Sequence, residues 1–212
     1  MTKNKPQFRD IADIKETPSL KQVPTPKPKE PEDFQGRYRV FVARREQDIE
    51  CQLTVMDTHT GKPVTGLEKL GCRSGQPGFS GYKPFRLWRR GYSPIPFTQA
   101  PHPDLKKYTA PNLIISLSGS PFQPKQYDAG RAGIGEFWRV GSTNQDPATT
   151  YSYRRNLKRL ALGIHPENEY VGSRGCVVIK DRQDFVKLSD FLWMLKDAKI
   201  EEVELNVIPG NF

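Results

Sequence analysis

Two side chains capable of covalent chemistry stand close together late in the chain. His165 lies in Gly163-Ile164-His165-Pro166-Glu167, and Cys176 lies in Val171-Gly172-Ser173-Arg174-Gly175-Cys176-Val177-Val178-Ile179. A thiol with an ordinary pKa of about 8.5 is mostly protonated at neutral pH, so a nucleophilic cysteine needs a neighbour that takes its proton or stabilises its thiolate. Histidine is the usual partner. Gly175 has no Cβ, so the backbone can turn sharply before Cys176 and a substrate can come close to the main chain. The amide N–H groups of Gly175 and Cys176 would then face a developing oxyanion. The apolar run from Val177 to Ile179 reads as a buried strand that fixes the position of the thiol relative to His165. The competing reading of an isolated cysteine is a small buried hydrophobe.

This pattern resembles the catalytic motif of the L,D-transpeptidase (YkuD-like) family, in which a histidine after an apolar residue precedes Ser/Thr-x-Gly-Cys-apolar. Ile164-His165 and Ser173-Arg174-Gly175-Cys176-Val177 are similar to it in a compact form, with the cysteine eleven positions after the histidine. The resemblance implies a mixed β-sandwich or barrel that remodels bacterial peptidoglycan, with Cys176 as nucleophile, His165 as base, and Ser173 and Gly175 completing the catalytic set. Family members attack a tetrapeptide stem at the carbonyl of its meso-diaminopimelate, release the terminal D-alanine, and pass the acyl group to an amine or to water. Transpeptidase and L,D-carboxypeptidase or endopeptidase therefore both stay open. Arg174 stands where many members carry a second histidine. Pro166 offers no side chain to orient the imidazole, which leaves that task to a backbone carbonyl. Val178 stands where many members have a polar residue.

Substrate grip is expected just upstream. Tyr151, Tyr153, Arg154, Arg155, Lys158 and Arg159 precede the histidine motif, and an arginine grips a carboxylate through two parallel hydrogen bonds. Arg154 and Arg155, with Tyr153 beside them and Arg174 in the cysteine loop, are the candidate substrate-binding residues. A solvated charge run is the alternative. His102, between Pro101 and Pro103, has no partner at metal-ligand spacing, and no metal or cofactor is called for.

The elements that must position these residues follow from composition and periodicity. The chain has 212 residues, a formal net charge of +9 and 19 prolines, with a mean hydropathy of −0.69, which fits one ordinary domain with a polar tail. Residues 1–36 hold seven basic and six acidic side chains and the alternation Pro24-Thr25-Pro26-Lys27-Pro28-Lys29-Glu30-Pro31. That reads as a semi-rigid tail or tether, so residues 37–212 form the catalytic domain and carry the positive excess. A basic body suits anionic polymers or an acidic protein. Tyr82 to Tyr92 mixes basic and aromatic residues as nucleic-acid surfaces do, but no nucleic-acid motif accompanies it, so nucleic acid is an unlikely partner.

Neither a secretory signal nor a membrane-spanning apolar run is visible. An enzyme of the cell wall, periplasmic or extracellular, would then be delivered by a virus particle, by a secretion or injection assembly engaged through residues 1–36, or by lysis. A non-catalytic structural or wall-binding component of such a particle or machine is the alternative function. Cys51, Cys72 and Cys176 are odd in number, so any disulfide leaves one free thiol.

Period-two alternation predicts a β-hairpin from residues 38–43 and 49–56, and strands over 113–117, 136–140 and 203–207. Asp181 reads as the N-cap of a helix whose apolar face is Phe185, Leu188, Leu192 and Leu195. Residues 129–135 look faintly like a phosphate loop but lack its Gly-Lys-Ser/Thr ending. The expected fold is mainly β with one main helix, an α+β domain.

Overall fold

The computed structural model describes residues 34–46, 48–76, 94–110, 112–118, 120–121, 136–142, 162–167, 173 and 175–212. Its strands are β1 (Tyr38–Arg44), β2 (Glu50–Asp57), β3 (Lys62–Pro63), β4 (Leu70–Ser74), β5 (Leu113–Ser116), β6 (Trp138–Ser142), β7 (Leu162–Pro166), β8 (Val177–Ile179) and β9 (Glu202–Pro209). One α-helix, α1 (Arg182–Asp197), joins β8 to β9. The sheet runs β1-β9-β5-β6-β7-β8-β4-β2, and the pairing of β2 with β1 closes it into an eight-stranded barrel with β3 appended to β2. Closure removes the free edges that an open sheet would present. The fold is thus mostly β with a single α-helix among the described residues.

The alternation that predicts the hairpin also builds the core. Val40 and Val42 of β1, Cys51, Leu53 and Val55 of β2, and Val203, Leu205 and Val207 of β9 all point inward and are buried. β1 pairs antiparallel with β2 in the register Val40↔Val55 and parallel with β9 in the register Val40↔Leu205. At the hairpin's open end the Arg37 guanidinium lies 2.7 Å from Asp57, and its hydrogen bond draws the carboxyl down to about 2. Before β1, the Phe34 ring stacks on Tyr38 with centroids 6.1 Å apart.

Strand directions define two ends of the barrel. The first residues of β1, β6 and β9 and the last of β2, β5, β7 and β8 share one end, and α1 covers it. Phe191 meets the Tyr38 ring edge-on at 5.0 Å, and the Trp138 indole N–H donates to Ser189 Oγ at 3.0 Å. Ser189 in turn donates to Glu136, which also accepts from the Trp193 indole N–H. The Asp181 cap accepts from the amides of Gln183 and Asp184 at 2.7 and 3.0 Å, as the sequence predicts. Phe185, Leu188, Leu192 and Leu195 enter the common core, each burial being worth about 1.5–3 kcal/mol.

At the opposite end, the fully buried Arg44 donates from Nε to the carbonyl of Ile95 at 2.9 Å, and its guanidinium lies 3.8 Å over the Phe97 ring. The proline-broken segment around Pro94 therefore belongs to the core, with Ile95 and Phe97 buried. Among the described residues no helix is long and apolar enough to cross a membrane. The proline-rich tail up to residue 33, the basic aromatic stretch 82–92 and the glycine-rich 129–135 all lie outside the described residues.

Candidate active site

The pairing of β7 with β8 positions the histidine and the cysteine. These strands run parallel in the register Ile164↔Val177, His165↔Val178, Pro166↔Ile179. Ile164, Val177 and Ile179 belong to the apolar core cluster, whereas His165, Val178 and Cys176 do not. Because side chains alternate along a strand and paired residues share a face, His165 and Val178 occupy the outer face together, and Cys176, the residue just before β8, lies with them outside that cluster. With a rise of ~3.3 Å per residue and a strand spacing of ~4.8 Å, the Cα atoms of Cys176 and His165 stand about 8 Å apart. Imidazole and thiol side chains span such a gap when directed toward each other. β7 is not foreseen as a strand from the sequence, and it is the element that carries the histidine.

Both groups are covered although they point away from the core: His165 is 6% exposed and Cys176 8%. His165 Nδ1 lies 2.8 Å from the carbonyl oxygen of Pro166. A carbonyl only accepts, so Nδ1 carries the proton and Nε2 keeps its lone pair. The orienting group is thus the backbone carbonyl expected from the proline. Burial lowers the imidazole pKa, and the bond to Pro166 offsets part of that. The ring is therefore neutral, and able to accept a proton, at lower pH than an ordinary histidine.

Phe137 stacks on the imidazole, with centroids 5.8 Å apart and planes at 17°. Its ring also lies over Gly163, where an added Cβ would fall 2.3 Å from Phe137 Cζ and 2.7 Å from the Trp138 carbonyl oxygen. Gly163 is therefore glycine because an aromatic ring and a neighbouring strand occupy the space of a side chain. Sequence reasoning misses Phe137. Its signal is the glycine two residues before the histidine, which marks a close approach without naming the ring that makes it.

The cysteine turn is tied down by two serines. Ser173 Oγ donates to the carbonyl of Cys176 at 2.6 Å, and accepts from the N–H of Gly175 at 3.1 Å and from that of Gly75 at 3.3 Å. A hydroxyl has one donor and two acceptor sites, and all three are used. Ser74 Oγ donates to the Gly175 carbonyl at 3.2 Å and accepts from the Ile95 N–H at 2.7 Å. Gly175 has φ +104°, a conformation that L side chains rarely adopt. This corrects one expectation: the Gly175 N–H points to Ser173 Oγ inside the turn rather than toward an oxyanion. The part Gly175 plays is conformational, and Ser173 is a positioning residue that holds the loop against β4.

A charged row continues from the histidine across the outer face. Arg73, paired with Val178, lies 2.6 Å from Glu50 and 2.5 Å from Glu167, and Lys180 reaches Glu50 at 3.0 Å. Burial alone would raise the Glu50 carboxyl, but hydrogen bonds from Arg73 and Lys180 outweigh it and hold the pKa low. This row fastens β2 and β4 to the β7–β8 pair. Tyr153, Arg154, Arg155 and Arg174 lie outside the described residues. His59 sits in the turn after β2, its amide bonded to Asp57, and His102 caps a short 3-10 turn, so neither joins His165. Among the described residues no cluster of His, Cys, Asp and Glu could hold a metal ion. Comparison with protein-family models, with curated proteins and with solved structures returns no match.

Proposed function

We propose that this protein is a cysteine-dependent acyltransferase or peptidase acting on peptidoglycan stem peptides, an L,D-transpeptidase-like enzyme. The observation that supports the reading is the β7–β8 register, which pairs His165, its Nδ1 committed to a backbone carbonyl, with Val178, two residues beyond the buried Cys176. The first step has the Cys176 sulfur attack the carbonyl carbon of the diaminopimelate residue while His165 Nε2 accepts the thiol proton. The tetrahedral intermediate collapses to a thioester, and His165 returns the proton to the departing amine of D-alanine. An amine or a water molecule then attacks the thioester, giving up its proton through His165, and Cys176 regains its thiol. The Gly175 main-chain N–H is engaged within the turn by Ser173 Oγ, so it is not an oxyanion donor in this reading. The basic body suits an anionic wall polymer.

The deciding experiment is mass spectrometry of wild-type and Cys176→Ala protein incubated with muropeptides bearing tetrapeptide stems. Expected is loss of D-alanine, a cross-linked product or a covalent adduct, in each case only with the thiol present. Absence of turnover and of adduct from folded protein on several stem types would turn the assignment to a non-catalytic wall-binding component. Product identity separates the transpeptidase from the carboxypeptidase or endopeptidase.

A further inference from the structure

The barrel contains a pair of sulfurs that the acyl-transfer chemistry does not use. Cys51 of β2 and Cys72 of β4 face each other directly in the antiparallel register. Both side chains point inward and are buried, and their Sγ atoms are 2.8 Å apart. Directly opposed residues on neighbouring antiparallel strands have Cα atoms about 4.5–5.5 Å apart, inside the range of about 4.4–6.8 Å that a disulfide spans. The bond can therefore form with no shift of the two strands. Cys176 sits on the opposite face of β8, outside the core cluster that holds the other two sulfurs, so the barrel wall separates it from them.

We infer that Cys51 and Cys72 form a structural disulfide when the chain meets an oxidising compartment, leaving Cys176 as the single free thiol. The oxidant is a disulfide, either a small molecule such as glutathione disulfide or a thiol-disulfide oxidoreductase. One cysteine thiolate attacks a sulfur of the oxidant, giving a mixed disulfide and releasing one thiol. The second cysteine, as thiolate, displaces the remaining half of the oxidant as a second thiol. The two electrons pass to the oxidant, and the two cysteine protons end on the thiols that leave.

Burial shapes the kinetics. Cys72 lies wholly inside the barrel, and burial together with its sulfur neighbour raises its pKa well above the ordinary thiol value. The folded, reduced barrel offers little thiolate and buries both sulfurs, so bond formation belongs to folding or to transient opening of β2 from β4. Once made, the bond is shielded from reductants in the same way. It also acts on the cysteine loop, because Ser74, two residues after Cys72, holds the Gly175 carbonyl. The inference stands apart from the acyl-transfer reading, and the test uses no activity measurement.

The test is refolding of the full-length chain in buffers of defined reduced and oxidised glutathione ratio, followed by acid quench, alkylation under denaturing conditions and peptide mapping. Expected is a single linkage joining the Cys51 and Cys72 peptides while Cys176 takes the alkylating label, and the same linkage in Cys176→Ala. The oxidised form should melt roughly 6–12 °C above the reduced form or above Cys51→Ala/Cys72→Ala. Already folded, reduced protein should oxidise at least tenfold more slowly than refolding chains. Alkylation of all three cysteines in a buffer that oxidises a control disulfide protein, or a linkage that includes Cys176, would overturn the inference. The wild-type peptide map decides even if the double variant does not fold.

Discussion

Strand pairs β1–β2 and β7–β8 are parts of one barrel but relate differently to their surroundings. Along β1 and β2 burial alternates, with every second residue inside and the next half-exposed. Along β7 and β8 every residue is buried. The first pair is an ordinary barrel wall with solvent on its outer side. The second is covered on both sides, and its outer side carries His165 and Cys176. A histidine and a cysteine placed on the β1–β2 wall would be half-exposed, with the imidazole less desolvated and the thiol within reach of oxidants. On the covered face, burial lowers the imidazole pKa, and the surrounding chain limits what reaches the sulfur.

This contrast can be broken from either side. Cys176→Ala should lower acyl transfer by at least ~10³-fold while leaving the denaturant midpoint close to wild type, as measured by muropeptide turnover and urea unfolding. His165→Gln should cost about 10²–10⁴-fold in the same assay. On the inner side of the same strand, Ile164→Ala should reverse the pattern, destabilising the barrel by about 2–5 kcal/mol. Equal losses of stability from inner-face and outer-face substitutions would mean that the outer face is merely a second core.

Gly163→Ala sharpens the comparison, because its Cβ must displace the Phe137 ring that stacks on His165. A destabilisation of about 1–3 kcal/mol is expected, together with a shift of the acid limb of the activity profile back toward that of an ordinary imidazole. Ser173→Ala removes the hub of the cysteine turn and should cost about 1–3 kcal/mol by thermal or urea unfolding. In turnover it should lower kcat more than it raises KM, as expected of a positioning residue.

The smallest effect is on pH-dependent stability. Burial depresses the folded-state pKa of His165, so between that value and the unfolded one of about 6.5 the unfolded chain binds more protons. This contribution is fully present above about pH 6.5 and is lost as pH falls toward the folded value. Urea midpoints measured across that window should fall less steeply with acid in His165→Gln than in wild type.

Much of this architecture is legible in the residues themselves. Strands β1, β2, β5, β6, β8 and β9 carry alternation or short apolar runs, and α1 carries both its cap and its apolar stripe. β7 escapes because Leu162-Gly163-Ile164-His165-Pro166 combines a glycine, a histidine and a proline, and burial on both sides erases the period of two. β4 escapes because small or polar residues, Cys72 and Ser74, fill its inward positions beside Leu70. The cysteine and histidine stand out as candidates because their types and spacing would suit a nucleophile and a base. Phe137, Ser74 and Gly75 are not, since strand pairing alone brings them to the site from sequence positions 28 to 102 residues away. The β1–β9 and β7–β8 parallel registers leave no local mark.

The seating of β9, parallel to β1 and antiparallel to β5, also has a consequence for how the molecule is made. A chain emerging from the ribosome N-terminus first can assemble the hairpin early, but a seam stays open between β1 and β5 until the last strand arrives. Contacts joining the two ends of a chain form late and slowly. A chain made only as far as the end of α1 therefore holds His165 and Cys176 before β9 has closed the barrel around its core.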